Sequence, residues 1–125
     1  MRGILDTSAI ISPGLTDLPD EGAISTATLA ELHYGVQAAP TGHERAARLR
    51  RLTEIESTLE ALPLDGAIAR AYGSLAYVLS GRGRSHRPRA MDVIIAATAQ
   101  THGVPLFTTD RDFDAFSEHL DVRFV

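Results

Sequence analysis

Short apolar segments alternate along this chain with longer helical segments, and this alternation constrains the fold more than any other feature. Because parallel strands need helical crossovers, the alternation predicts a parallel sheet that is covered on both faces. With 125 residues and no repeat or interdomain linker, we expect one α/β domain, residues 1–125, with three α/β/α layers. The predicted strands are residues 2–6, 23–25, 61–64, 104–108 and 122–125. The predicted helices are residues 28–38, 44–60, 65–79 and 91–102, with a short helix or turn at 110–116.

Four acids stand where such a sheet would bring them together. Asp6 and Asp110 follow predicted strands, whereas Glu31 and Asp92 lie in the first turns of predicted helices. Open parallel sheets gather strand carboxyl ends and helix N-termini at one edge, so the four carboxylates should share a cleft. Converging carboxylates repel one another and favour a bound cation, and hard oxygen ligands suit Mg²⁺ or Mn²⁺. The pattern therefore predicts a metal site of the kind that serves phosphoryl chemistry.

Each of these acids also has an ordinary structural explanation. Asp6 could cap the helix that follows the first strand, and Glu31 could complete a capping box with Thr28. Asp92 could complement its helix dipole, and Asp110 could be a turn residue. These explanations permit the functional one, because a carboxylate that caps a helix at this edge still lies at the cleft.

Small hydroxyls and two further acids flank the predicted site. The hydroxyls either orient water and phosphate or make ordinary turn hydrogen bonds. We expect Asp112 and Asp114 to be solvated acids of the terminal helix, although both are near enough in sequence to assist Asp110. The hydroxyl residues are Thr7, Ser8, Thr108 and Thr109.

All twelve basic residues are arginine, and the chain has no lysine. The net charge is −4, so the whole molecule does not attract polyanions. Eight arginines nevertheless lie in two segments, and arginine suits bidentate phosphate contact. Genome composition explains an all-arginine set equally well. The two segments hold Arg45, Arg48, Arg50 and Arg51, and Arg82, Arg84, Arg87 and Arg89.

Composition and spacing exclude several other kinds of site. The chain has no cysteine, which removes disulfides, thiol nucleophiles and cysteine-bound zinc. The histidines lack zinc-like spacing, and we expect His33 to be a core residue of an apolar helical face. Neither a glycine-rich phosphate loop nor a GxSxG elbow is present. No apolar run approaches the roughly 20 residues of a membrane span, and Asp6 comes too early for a signal peptide, so we expect a cytoplasmic protein without membrane association.

Four segments of the chain resemble, in order, the motifs of PIN-domain nucleases. They are residues 5–11, 28–35, 92–99 and 106–113. Their order, spacing and total length are similar to those of the small VapC-type toxins of toxin–antitoxin pairs. The resemblance covers essentially the whole chain, although residues 40–88 match only in helical character and length.

The resemblance implies a PIN-like fold and a Mg²⁺-dependent endoribonuclease, with Mn²⁺ as the alternative metal. The acids of the family carry over as Asp6, Glu31, Asp92 and Asp110, with Asp6 and Asp92 as the principal metal ligands. The resemblance also implies a toxin that a cognate antitoxin holds inactive, in a homodimer or a toxin–antitoxin hetero-oligomer. Helices 28–38 and 44–60 either form a groove for an antitoxin helix or provide ordinary core and dimer surface.

RNA is the substrate that the resemblance implies, and sequence-specific cutting favours a structured RNA with an exposed loop, such as tRNA or rRNA. Because an acidic cleft repels RNA, basic groups must lie near it. We expect residues 81–89 to be a flexible basic loop that contacts backbone phosphate. The predicted RNA contacts are Ser8, Arg82, Arg84, Arg87, Arg89, Thr108 and Arg111.

Three other readings stay open at this point. A phosphatase of the haloacid dehalogenase kind has a second aspartate two residues after the first, where this chain has Ser8. A non-catalytic RNA- or protein-binding module would not need the intact set of acids. A housekeeping RNA-processing nuclease would need the acids but no antitoxin.

Overall fold

The computed structural model describes residues 2–12, 14–15 and 17–125. The strands are β1 (Arg2–Leu5), β2 (Glu21–Ser25), β3 (Glu60–Leu62), β4 (Leu106–Thr108) and β5 (Val122–Phe124). The α-helices are α1 (Thr7–Ile11), α2 (Thr26–Gln37), α3 (Gly42–Thr58), α4 (Gly66–Gly81) and α5 (Ala90–His102). Two 3₁₀ helices span Arg87–Arg89 and Arg111–Phe116.

The five strands form one parallel sheet in the order β3-β2-β1-β4-β5. From the central β1 the chain moves outward to β2 and β3. It then returns through α4 and α5 to β4 on the other side of β1. The strand order therefore reverses between β1 and β4, and the crevice outside the carboxyl ends at such a switch point is where open sheets hold their ligands.

Alternate residues of the central strands face opposite layers of helices. Ile4 and Leu106 pack in a cluster with residues of α4 and α5, while Leu5 and Phe107 pack with residues of α1 and α3. All four side chains are buried, and full burial of such a side chain contributes about 1.5–3 kcal/mol. Both faces of the sheet are covered, which confirms the predicted α/β/α arrangement.

Three predicted helix ends are confirmed. The Thr41 hydroxyl accepts a hydrogen bond from the Glu44 amide at 3.1 Å, and Asp65 accepts one from the Ile68 amide at 2.9 Å. Gly103 ends α5 with φ at 64°, a left-handed conformation that glycine adopts without strain. These caps fix the starts of α3 and α4 and the end of the helix that carries Asp92.

Two local predictions are wrong. His33 is exposed, and its Nε2 lies 2.6 Å from Oε1 of Glu56, because the α2 face that carries it meets α3 at the surface. The segment 81–89 is partly helical rather than a loop throughout, since Arg87–Arg89 forms a 3₁₀ helix. Tyr72 Oη lies 2.8 Å from Nδ1 of His86 and ties this segment to α4.

Candidate active site

The structure brings the four predicted acids to the carboxyl edge of the sheet. Asp6 follows β1 and Asp110 follows β4, the two strands that flank the switch point. Glu31 lies in the second turn of α2 and Asp92 in the first turn of α5, and both line one pocket of about 230 Å³. The acids thus come from four separate segments, and the charges of the other three act on Asp92.

The cleft raises the pKa of Asp92 to about 6, from an ordinary value of 3.8. Burial is the largest cause, followed by the negative charges of Asp110 and Glu31 and, more weakly, of Asp6. Arg89 acts in the opposite direction, with its Nη1 3.8 Å from Oδ2 of Asp92. Repulsion among the acids therefore opposes the ionised form of Asp92, and a bound cation would relieve it.

Three hydrogen bonds orient the buried Asp6 carboxylate. Its Oδ1 accepts from the Ser8 hydroxyl at 2.7 Å and from the Ala9 amide at 2.9 Å. Its Oδ2 accepts from the Thr108 hydroxyl at 2.7 Å. The bond from Ala9 is the helix cap that the sequence suggested, and it coexists with a position in the cleft.

The hydroxyls of Ser8 and Thr108 also bind the backbone beyond β4. The Thr109 amide donates to Ser8 Oγ at 3.0 Å, and the Asp110 amide donates to Thr108 Oγ1 at 2.9 Å. Thr108, predicted to contact RNA, is fully buried, and its hydroxyl instead links Asp6 to the amide of Asp110. Sequence reasoning left this alternative open as ordinary turn hydrogen bonding.

Glu31 is held from α1 rather than by its own helix end. The Thr7 hydroxyl donates to Glu31 Oε1 at 2.9 Å. Ser25 caps α2 by accepting from the Ala27 amide at 3.0 Å, so the proposed capping box with Thr28 is wrong. Asp110, by contrast, does cap a turn, because its Oδ1 accepts from the Asp112 amide at 2.9 Å.

The donor set fits a hard divalent cation by its chemistry. In residues 2–12, 14–15 and 17–125, no three acidic or imidazole side chains are grouped closely enough to hold an ion as they stand. Mg²⁺ usually keeps several waters and binds only one or two carboxylates directly, so water molecules would supply the remaining ligands. Carboxylate oxygens that raise one another's proton affinity suit such an ion.

Arg89 is engaged with an acid that we expected to be solvated. Its Nη2 donates to Oδ2 of Asp112 at 2.7 Å, and Arg84 Nη2 lies 3.9 Å from Oδ1 of the same carboxylate. The hydrogen bond and the charge of Arg89 lower the pKa of Asp112 below its usual range. Asp112 is exposed as predicted, but its partner was missed because Arg89 lies 23 residues away and no periodic signal connects them.

Arginines line a second pocket beside the acids. Its volume is about 350 Å³, and Arg82, Arg84 and Arg111 line it together with Asp112 and Asp114. The Arg111 guanidinium lies 4.3 Å from the ring centroid of Phe124, which fixes its orientation. Exposed Arg87 lines the same pocket as Glu31 and Asp92. The five arginines that the sequence predicted to contact RNA therefore line one or the other of these two pockets.

An apolar groove runs from the acids across α1, α2 and α3. It has a volume of about 560 Å³, and Thr7 and Glu31 are among its lining residues. Its apolar lining includes Ile11, Leu32 and Ala47, and Ile11 is 65% exposed. Arg48 and Arg51 also line it, donating to the carbonyls of Gly35 and Ile10, respectively.

No helix within the described residues is long and apolar enough to cross a membrane.

The sequence profile of the PIN domain matches residues 4–118 of this chain. The chain is 38% identical to ribonuclease VapC5 of Mycobacterium tuberculosis, an alignment that covers 98% of this chain and 93% of the relative. It is 35% identical to ribonuclease VapC4 of the same organism, over 94% of this chain and 92% of the relative.

A solved structure agrees with these matches. The crystal structure of VapBC-5 from Mycobacterium tuberculosis, a member of the VapBC family of toxin–antitoxin systems, contains a chain that superposes with a TM-score of 0.85. That chain shares 38% identity, and the superposition covers 99% of this chain and 97% of that one.

Proposed function

The chain belongs to the PIN-domain family and is a VapC-type, metal-dependent endoribonuclease, and from this premise we propose that Mg²⁺ is its metal and structured RNA its substrate. tRNA or rRNA is the favoured substrate class, and the protein acts as the toxin of a toxin–antitoxin pair. The observation that carries the proposal is the set of four acids at one edge of the sheet, where burial and the charges of the other three acids raise the pKa of Asp92 to about 6.

Asp6 and Asp92 are the principal metal ligands in this proposal, with Glu31 and Asp110 binding directly or through water. The three donors to Asp6 support its role, because they fix the carboxylate before a metal arrives. When bound, the cation supplies a more acidic water and stabilises the charge that develops on the phosphate.

One of the acids also accepts the proton that the attacking water loses in this proposal. Thr7 holds Oε1 of Glu31, so Oε2 is the oxygen of this carboxylate that we assign to accept the proton. Asp110 is the alternative acceptor, with its Oδ1 already engaged by the Asp112 amide. Both carboxylates are oriented by hydrogen bonds of their own, which limits the reorganisation needed during the reaction.

Arginines beside the cleft bind the RNA backbone. Arg82, Arg84, Arg87 and Arg111 offset the charge of the acids and contact phosphate, a contribution that is independent of sequence and sensitive to salt. The stacking of Arg111 on Phe124 supports this role, because it presents a fixed guanidinium beside Asp110. RNA loops, whose bases are unstacked, fit an open cleft of this kind better than a duplex does.

The apolar groove is the docking site that we assign to the antitoxin. An amphipathic segment laid on Ile11, Leu32 and Ala47 would exclude water from them and end beside Glu31. An antitoxin segment bound in the groove would inhibit cleavage, because it would cover Glu31, one of the four acids. Growth arrest on expression, relieved by a small protein encoded next to this chain, would separate a toxin from a housekeeping nuclease.

The test of the proposal is cleavage of total cellular RNA by the purified protein, with Mg²⁺ or with EDTA, beside Asp92→Asn. We expect discrete fragments that need the metal and disappear in the folded variant, and their ends would identify the target. If neither protein cleaves RNA with any divalent metal, although both are folded, the proposal fails in favour of a binding module. Hydrolysis of p-nitrophenyl phosphate would instead favour a phosphatase.

A further inference from the structure

Arg89 lies close to two acids, Asp112 and Asp92, but forms a hydrogen bond with only the first of them. Its Nη2 donates to Oδ2 of Asp112 at 2.7 Å, whereas its Nη1 stays 3.8 Å from Oδ2 of Asp92. The first distance is that of a strong charge-assisted hydrogen bond, and the second is too long for any hydrogen bond. The guanidinium is therefore committed to Asp112 and is only a neighbour of Asp92.

Local structure explains why these three residues meet. Arg89 is the residue before α5, so it stands three positions ahead of Asp92 at the same helix end. Asp112 lies in the 3₁₀ helix that Asp110 caps, and its carboxylate accepts from the guanidinium across 23 residues of sequence. The side chains of Arg89 and Asp92 are 28% and 32% exposed, so their interaction is only partly screened by water.

A guanidinium and a divalent cation compete for the same carboxylate. Both need its lone pairs, and their positive charges repel each other at short range. An Arg89 that closed the gap to Asp92 would therefore act as an internal competitor of the metal. The 2.7 Å bond to Asp112 opposes that movement.

We propose that Asp112 is a positioning residue of the metal site, which holds the Arg89 guanidinium away from Asp92 so that Asp92 stays available to a divalent cation. The inference rests on the metal site of the proposed function, and it gives Arg89 a role other than the direct phosphate contact that the sequence suggested. Loss of Asp112 frees Arg89 to bind Asp92. Loss of Arg89 removes the competitor altogether.

The experiment measures the dissociation constant of Mn²⁺ for the full chain without RNA, from the free Mn²⁺ signal in electron paramagnetic resonance. We expect Asp112→Asn to bind Mn²⁺ about three- to tenfold more weakly and Arg89→Gln to bind it more tightly than wild type by a similar factor. The double variant should bind like Arg89→Gln alone, because Asp112 has nothing left to restrain. Circular dichroism at each stage shows whether a variant is folded.

Two matched variants control for net charge. Asp114→Asn removes an acid from the same 3₁₀ helix, where Asp114 accepts from the Ser117 hydroxyl at 2.9 Å. Arg70→Gln removes an exposed arginine of α4 that lines neither the acidic pocket nor the arginine pocket. Both should leave the Mn²⁺ dissociation constant within about twofold of wild type, since surface charges at a distance are screened.

The outcomes separate the explanations. If Asp112→Asn still weakens binding in the Arg89→Gln background, Asp112 is a metal ligand and the proposal is overturned. Weaker binding by Arg89→Gln, or shifts as large in the two controls, would overturn it as well. If wild type binds no Mn²⁺, or Asp92→Asn binds it equally well, the metal site of the proposed function fails together with this inference. Binding that needs Asp92 but shows the wrong order among the Arg89 and Asp112 variants refutes the inference alone.

Discussion

Replacing Asp92 with asparagine should make the metal-free protein more stable at neutral pH. Burial and the charges of Asp110, Glu31 and Asp6 raise the pKa of Asp92 to about 6, against 3.8 for an unperturbed carboxyl. The native state therefore binds the Asp92 proton more tightly than the unfolded chain does, and ionisation of this group works against folding. Asparagine keeps the shape of the side chain and removes that charge.

The sign and size of the effect follow from the two pKa values. Well below pH 3.8 the carboxyl is protonated in both states, so it makes no difference to stability. As the pH rises from about 4 to above 6, wild type loses stability relative to Asp92→Asn. A shift of about two units corresponds to ~3 kcal/mol. Because 32% of the side chain is exposed, screening by solvent reduces this to about 1–2 kcal/mol.

Urea unfolding in EDTA at several pH values between 4 and 8 measures the difference. We expect the advantage of Asp92→Asn over wild type to be smallest at pH 4 and to reach about 1–2 kcal/mol at pH 7.5. Adding Mn²⁺ should reverse the order, because a ligand at a hundred times its dissociation constant stabilises wild type by about 2.7 kcal/mol and the variant lacks a principal ligand. Asp114→Asn, which removes an acid of the 3₁₀ helix beside the cleft, should show neither effect.

A variant that is no more stable than wild type at pH 7.5 would refute this reasoning, because ionised Asp92 would then carry no cost in the cleft. The reasoning would also be refuted if the difference in free energy of unfolding between the two proteins became smaller as the pH rises, because the predicted change has the opposite sign. A gain that persists unchanged at pH 4 would point to packing of the amide rather than to charge.

Three other predictions concern the neighbours of the acids. The double variant Arg84→Ala and Arg87→Ala should bind RNA more weakly. Its slope of log affinity against log salt should be flatter than that of wild type by about 1.4, because two contacts with single-strand phosphates are lost. An unchanged slope would show that neither arginine contacts the RNA. Thr108→Val should lower the free energy of unfolding by about 1–3 kcal/mol, since it strands the Asp110 amide and removes a donor to Asp6, while Thr108→Ser should retain most of the stability. Ile11→Asp should weaken antitoxin binding more than tenfold in a titration, whereas Tyr77→Asp, at an exposed site outside the groove, should not.

The arginine prediction has its own control. Arg45 and Arg50 lie exposed on α3, outside the pockets that the acids and the 82–89 segment line. Their replacement by alanine removes the same net charge, so it separates local phosphate contact from a general loss of positive charge. An equal flattening of the salt slope in both double variants would favour the general effect.

The sequence predicts the sheet and the edge that holds the acids because both depend on local patterns. β1 and β4 are short apolar runs that end in polar residues. The α5 segment is apolar on nearly every side, a pattern that predicts a buried helix. In a parallel sheet the carboxyl ends of all strands lie at one edge, so Asp6 and Asp110, which follow β1 and β4, must both lie at that edge. The same local rules identify Thr41, Asp65 and Gly103 as helix ends.

Local sequence patterns do not predict which side chains of different helices and strands will contact each other. Arg89 and Asp112 meet only because the end of the 82–89 segment and the 3₁₀ helix after β4 face one cleft, and neither residue differs in sequence from a solvated charge. His33 shows the reverse error, since an apolar stripe on α2 gave no sign that its partner would be Glu56 at the surface of α3. Ser25 rather than Thr28 caps α2 because strand β2 ends there, a boundary that propensity alone misplaces by a few residues.

The bond from Thr108 to Asp6 joins residues 102 positions apart, and it lies where β1 and β4 pair at the centre of the sheet. The central strand pair and the fixed orientation of Asp6 therefore form only after the chain has closed one of its longest loops, a step that is entropically costly and slow. A stopped-flow refolding experiment that follows Mn²⁺ binding alongside circular dichroism should show helical signal before metal uptake. A proteolytic cut between Asp6 and Thr108 removes the covalent link across this loop, so separation of the two fragments should leave Asp6 without the bond from Thr108 and should abolish metal binding.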